Sequence, residues 1–363
     1  MTLPFQSAAI LGAGLMGRLL AVTLAQQGCR VDLFEAGNPE AEGAAARVAA
    51  AMLAPLAESA VAPASVVRMG QHALSRWPEL LAPLSQPVFF QREGTLVLWH
   101  RQDAAEATRL ARVLANTGTQ VPELAPMQAL DAGAIAALEP SLGQRFAQGL
   151  FLPGEGQLDN RALLASLRAT LENDARVTLH WHSPRAPSDF APGTAGQPDW
   201  VVDCRGLGAK PQWNALRGVR GEVIRVHAPD VNLTRPTRLV HPRYPLYIAP
   251  KPGNLFVIGA TEIESDDMSP ASVRSTLELL SAAYAVHSGF AEARIVEIAT
   301  QCRPTLPDNL PAIRRPQPRV LQVNGLYRHG FMIAPAMLDV AMALLTHGRS
   351  DLAQAFGMEA PDT

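Results

Sequence analysis

Gly12, Gly14 and Gly17 stand in G-x-G-x-x-G spacing close to the start of the chain. That spacing suits a phosphate-binding turn. The first glycine permits a tight bend, the second lets the backbone approach a pyrophosphate, and the third lets the next helix pack closely on the strand behind it. Glu35 follows about 20 residues on, where a carboxylate accepts from a ribose 2′-hydroxyl and repels a 2′-phosphate. At the other end, Arg328 and His329 are adjacent within GLYRHGFMIAPA, residues 325–336. A helix N-terminus carries partial positive charge and disfavours cations, so this pair calls for a negative group nearby. Cys29, Cys204 and Cys302 lie far apart and form no pair or Cys/His cluster with metal-ligand spacing, so no metal site is expected.

The elements that must position these residues follow from hydrophobic periodicity. Ala8–Leu11 is a short apolar run, Leu15–Gln27 has helical spacing, and Arg30–Glu35 alternates like a strand, so the glycines open a βαβ unit. The alanine-rich AAARVAAAMLAPLAE predicts helix interrupted at Pro55. Strands are expected at 92–99, 221–226, 244–249, 254–261 and 320–325, and helices at 103–117, Arg161–Glu172 behind an Asp159-Asn160 cap, Thr276–His287 and Ala336–Leu345. Pro/Gly-rich stretches near 183–198 and 304–318 read as loops. WVVDCRGLG, residues 200–208, is an apolar strand running into glycines. The fingerprint alone suits FAD or NAD. A late return to the nucleotide domain through residues 200–208 is the pattern of a two-domain FAD enzyme.

The 363 residues suffice for one large or two interleaved domains. Net charge is −2, so no basic excess suggests nucleic acid or an anionic membrane surface as a partner. Ala8–Leu24 is apolar, but it lacks a basic leading region and is interrupted by Gly12, Gly14 and Gly17. Neither an export signal nor a membrane span is read there, and a cytoplasmic location is expected.

GAGLMG with Glu35, AAAMLAPLAE at 49–58, EGQLDNRALLASL at 155–167, YIAP, VIGAT, RPTLPDNLPAI at 303–313 and GLYRHGFMIAPA together resemble the FAD-dependent D-amino-acid oxidase superfamily nearly end to end. Within it they are most similar to the glycine oxidases of bacterial thiamine biosynthesis. The resemblance implies an α/β fold, α+β in the substrate part. A Rossmann-like FAD-binding domain would come from segments 1–85, 140–215 and 300–363, and a substrate domain with a large antiparallel sheet from 86–139 and 216–299. It implies oxidative deamination of glycine or a related small amino acid: hydride passes from the α-carbon to flavin, the imine is hydrolysed, and O2 is reduced to H2O2. A dehydrogenase of the same fold passing electrons to another acceptor, or a flavin-binding subunit of a larger assembly, are the alternatives. A homo-oligomer is what glycine oxidase resemblance suggests.

This chemistry asks for an arginine on the substrate carboxylate and for donors or a helix N-terminus at the flavin's pyrimidine edge. By resemblance, Arg303, in a loop stiffened by Pro304 and Pro307, is the carboxylate ligand; Tyr247 faces the substrate; His241 lines the entrance; and Arg328 lies beside the active site as a catalytic and substrate-binding residue, its anion being the substrate carboxylate or its surroundings. Cofactor contacts are carried onto Gly12, Ala13, Gly14, Leu15, Met16, Gly17, Glu35, Ala36, Ala46, Arg47, Met52, Val177, Cys204, Gly206 and Gly208. Arg303, Arg328, His329, Gly330, Phe331 and Met332 complete the set. His329 departs from the small polar residue common there. Alanines replace the usual Ser/Thr hydroxyls around Arg47, so backbone N–H groups can serve the phosphates and Arg47 can add charge. Cys302 occupies the position where sarcosine oxidases bond flavin covalently, but the Arg-Pro that follows, and Val257 in place of their lysine, imply non-covalent FAD.

Overall fold

A computed structural model describes residues 3–142, 145–241 and 246–359. Its strands fall into two principal sheets. In the nucleotide sheet the order is Ala312–Gln317, Val320–Asn324, Trp200–Asp203, Ser7–Leu11, Arg30–Phe34, Val177–His180. All neighbours are parallel except the first pair. The central strands Ser7–Leu11, Trp200–Asp203 and Val320–Asn324 are covered on both faces, which is why Ser7–Leu11 is apolar without alternation, whereas Arg30–Phe34 alternates exposed and buried residues. Helices Leu15–Gln26, Ala64–Leu81, Asn160–Glu172 and Gly330–His347 supply most of the covering core.

The second sheet has eight strands, ordered Arg294–Thr305, Arg217–His227, Leu255–Gly259, Leu246–Lys251, Thr237–Leu239, Thr95–Leu98, Gln148–Leu152, Gln128–Asp131. It is antiparallel apart from the Thr237–Leu239/Thr95–Leu98 pair. Helix Val273–Val286 packs on it over a second core. The expected division of segments shifts accordingly. Gln148–Leu152 pairs within the large sheet although 140–215 was assigned to the nucleotide part, and Arg294–Thr305 places Arg303 there too. Residues 304–318, expected as loop, contain the edge strand Ala312–Gln317.

The alanine-rich stretch is not a continuous helix. Ala45–Val48 makes one turn, Ala51 takes φ 53°, Met52–Leu53 pairs with Gly156–Gln157, and Pro55–Glu58 forms a second turn with proline at its start. Tertiary donors outbid helix propensity here. Asn160 Nδ2 donates to the carbonyls of Ala46 and Arg47 at 2.8 Å each. Lys251 Nζ, buried, donates to the carbonyls of Ala50 and Leu158 at 2.8 Å and to Gln157 Oε1 at 3.1 Å. Three acceptors match the three donors of an ammonium, although burial pushes the Lys251 pKa down to about 7.

The last helix begins at Gly330, not Ala336, and carries Pro335 inside it. Proline has no N–H to give Phe331 four residues earlier. Trp77 Nε1 donates to that Phe331 carbonyl at 3.0 Å instead, which lets the helix run on. Tyr327–His347 is long and apolar enough to cross a membrane by composition, but 72% of its most apolar 18-residue stretch is buried inside the protein, packed against the helices Ala64–Leu81 and Leu15–Gln26.

Candidate active site

A cavity of about 880 Å³ lies between the sheets. The carboxyl ends of the parallel strands meet it through Gly12, Glu35, Cys204 and Asn324, as expected of an open α/β sheet. Gly12 has φ +92°, and a Cβ there would sit 2.8 Å from Arg205 Cα; a Cβ on Gly17 would lie 1.8 Å from the Gly12 carbonyl oxygen. Only glycine makes this turn. Glu35 receives the Ala13 N–H at 2.6 Å and the Gly37 N–H at 2.9 Å. Behind the turn, buried Arg18 donates to the carbonyls of Ala13, Leu164 and Pro39 at 2.7 Å each, pinning the turn to helix Asn160–Glu172 and to the loop after Glu35. No sequence signal distinguished Arg18 from an ordinary exposed helix arginine.

Two helix N-termini open onto this one cavity, at Gly14–Met16 and Gly330–Met332. Neither has a capping side-chain hydrogen bond or an acid in its first turn. Their N–H groups and dipoles therefore face the cavity uncompensated, a fit for two separated anionic groups such as a dinucleotide's pyrophosphate and a reduced flavin ring. The backbone of Ala44–Ala46 and Val48–Met52 lines the wall between.

The large sheet contributes Tyr247 and Arg303. Arg303 Nη1 donates to the Arg220 carbonyl at 3.2 Å and Nη2 to the Thr261 carbonyl at 3.1 Å. These bonds fix the guanidinium plane across Gly221, where a Cβ would come within 2.3 Å of Nη2. Among the described residues no carboxylate lies within ion-pair distance of Arg303. Burial pushes its pKa down, yet from so high a starting value that it stays cationic. The Tyr247 ring fills the space a side chain at Gly259 would take, and burial pushes its hydroxyl pKa up, so it is a donor at neutral pH.

Arg328 and His329 do stand at a helix start, with His329 as the N-cap residue. Their negative partner is Glu58, the last residue of the Pro55–Glu58 turn, buried in the cavity wall. Glu58 Oε2 lies 3.1 Å from Arg328 Nε and 3.3 Å from His329 Nδ1, and Oε1 accepts from Arg238 Nη2 at 2.6 Å. Glu262 Oε2 takes Arg328 Nη1 at 2.5 Å. Burial would push the Glu58 pKa up, but Arg328 and Arg238, with His329, more than reverse it and hold it well below the usual range. Arg328 is held charged chiefly by Glu58. Of the two anions expected for Arg328, the substrate carboxylate or its surroundings, the surroundings supply Glu58 and Glu262. Nothing in AAAMLAPLAE marks Glu58 as a partner of residue 328; packing alone brings the two together.

Of the expected site residues, Gly12, Gly14, Leu15, Met16, Glu35, Ala36, Ala46, Met52, Cys204, Gly206, Gly208, Tyr247, Arg303 and Arg328 to Met332 line the cavity. Ala13 and Gly17 shape the turn without lining it. Arg47 turns away and donates to the Glu40 carbonyl at 3.0 Å. Val177 opens strand Val177–His180 beside Val31, at the amino end of a parallel sheet whose ligands sit at the carboxyl end, so it does not reach the cavity. His241 follows strand Thr237–Leu239 and is not among the lining residues. Tyr244 and Pro245, expected in the strand with Tyr247, lie outside the described residues. Cys302 is buried, and its thiol donates to the carbonyls of Ser265 and Asp267 at 3.5 and 3.6 Å.

A glycine turn at the carboxyl ends of a parallel sheet, facing an antiparallel sheet across one cavity, fits a nucleotide-dependent oxidoreductase, and residues 7–341 match the FAD dependent oxidoreductase family DAO, to which the chain belongs. It is 43% identical over 340 residues to a Rhizobium etli protein assigned as the thiamine biosynthesis oxidoreductase ThiO, covering 92% of this chain and 95% of that one. Its fold matches crystal structures of glycine oxidase from Geobacillus kaustophilus (TM-score 0.79, 23% identity, 96% of both chains) and iminodiacetate oxidase from Chelativorans (TM-score 0.78, 23% identity, 94% and 96%).

Proposed function

We propose that this FAD-dependent oxidoreductase oxidises glycine, or another small amino acid, at the α-carbon, in the service of thiamine biosynthesis and with O2 as the final electron acceptor. The observation that carries the reading is Arg303, a guanidinium held in the cavity by two carbonyls, beside Tyr247, with no carboxylate partner among the described residues. Two of its five N–H groups are spent on carbonyls; the rest can grip a substrate carboxylate. The Tyr247 hydroxyl adds a neutral donor to the same carboxylate. The 43% identity to the Rhizobium ThiO supports the pathway.

The segments of the six-stranded sheet would bind FAD, and those of the eight-stranded sheet would hold the substrate. Gly14–Met16 would hold the pyrophosphate, Glu35 the ribose, and Gly330–Met332 the pyrimidine edge. FAD, when bound, supplies the hydride acceptor. The protein's own part is to fix the carboxylate and so aim the α-C–H, to exclude water, and to place the N-terminus of helix Gly330–His347 where negative charge develops. The Cys302 thiol is committed to backbone carbonyls, which favours non-covalent FAD.

The test is anaerobic flavin bleaching with glycine, sarcosine, D-alanine, D-proline and L-proline, followed by peroxide detection in air. Arg303→Ala should raise KM roughly 100-fold with FAD still bound, since a charge-assisted bidentate contact is lost. An unchanged KM, or a preference for L-amino acids, refutes the reading.

A further inference from the structure

Resting on the reading of Arg303 as carboxylate anchor, we infer that Glu58 is a specificity-determining residue: it neutralises the neighbouring arginines and so confines the cavity to substrates with a single carboxylate. Among the described residues, five arginines line the cavity. Arg205 is paired with Asp203 at 2.8 Å. Arg238 and Arg328 converge on the two oxygens of Glu58, and Arg328 is closed from its other side by Glu262. Arg274 is exposed, where water competes with any ion pair. Of these five, Arg303 is left as the sequestered cation without an anion among the described residues.

A second carboxylate on a substrate held by Arg303 would therefore find Arg328 already flanked by two fixed negative charges. Like charges brought together in a partly dehydrated cavity repel strongly, and specificity is set by such rejection as much as by attraction. Glu58 is well placed to keep this charge. Three cationic or donor groups face it, and its pKa lies well below neutrality. Without it, Arg238, Arg328 and Glu262 would leave a net positive wall.

Acetate and malonate, titrated against the FAD-loaded protein and read by the flavin absorbance change, separate the cases. In the wild type malonate should bind more weakly than acetate. Glu58→Gln keeps the shape and one acceptor for Arg238 but removes the charge. It should tighten malonate about tenfold or more while acetate changes by less than about threefold. Unchanged or weakened malonate binding, with acetate retained, overturns the inference. If Glu58→Gln loses FAD, Glu262→Gln, which removes the outer carboxylate from Arg328, decides the matter: malonate must tighten there too, or the inference fails. Arg303→Ala is the independent arm. If it leaves acetate binding intact, the anchor reading is wrong, whatever Glu58 does.

Discussion

At the scale of single residues, the cavity is shaped as much by absent side chains as by present ones. Gly221 sits under the Arg303 guanidinium and Gly259 beside the Tyr247 ring. Gly221→Ala should push Arg303 off its two carbonyls and raise KM about tenfold or more, with kcat less affected, in steady-state assays, because the loss falls on substrate binding. Neither glycine stands out in sequence, since a glycine inside a strand announces close approach without naming what approaches. Glu155 is a second case of chemistry hidden by distance. It is buried, accepts the Ala57 N–H at 2.7 Å, and burial raises its pKa from 4.5 to about 7. Between these values the folded protein keeps a proton that the unfolded chain has lost. Stability should therefore fall as pH rises from about 4.5 to about 7, by about 3 kcal/mol in all, and Glu155→Gln should flatten that slope in urea unfolding at pH 5 and pH 7.5.

At the scale of elements, local pattern was a good guide where neighbours agreed with it and a poor one where they did not. The first strand, helix and second strand formed within a residue of expectation because their own packing faces dictate them. The alanine stretch 44–54 did not, because Asn160 and Lys251, both distant in sequence, take its carbonyls. The last helix is expected to start at Ala336, just behind Pro335. It begins six residues earlier, at Gly330, because Trp77 satisfies the carbonyl that Pro335 leaves free. Trp77→Phe should cost about 1–3 kcal/mol in chemical unfolding by stranding that buried carbonyl. In that background Pro335→Ala, which restores an N–H four residues on, should recover part of the loss; strict additivity of the two changes would show that the carbonyl is not the coupling group.

At the scale of the whole molecule, the cofactor cavity is bounded by both sheets, so FAD should act as a clamp on the fold. At 100 times Kd, a ligand that binds only the native state adds about 2.7 kcal/mol. FAD removal should lower the calorimetric Tm, and added FAD should raise it in a concentration-dependent way. The sequence by itself determined the nucleotide turn, the acid at Glu35, the family and the two residues Arg303 and Tyr247 that face the cavity. The turn and the acid rest on short-range spacing and on strand and turn chemistry, which neighbours in sequence fix; the family, Arg303 and Tyr247 rest on the resemblance of whole motifs. Only the tertiary structure decided that Arg328 and His329 answer to Glu58, that Val177 points to the wrong end of the sheet, and that Arg18 and Lys251 hold the walls. Charges and hydrogen bonds act between atoms a few ångströms apart, and which residues come that close, Glu58 to Arg328 or Lys251 to Ala50, is settled by packing between elements rather than by order along the chain.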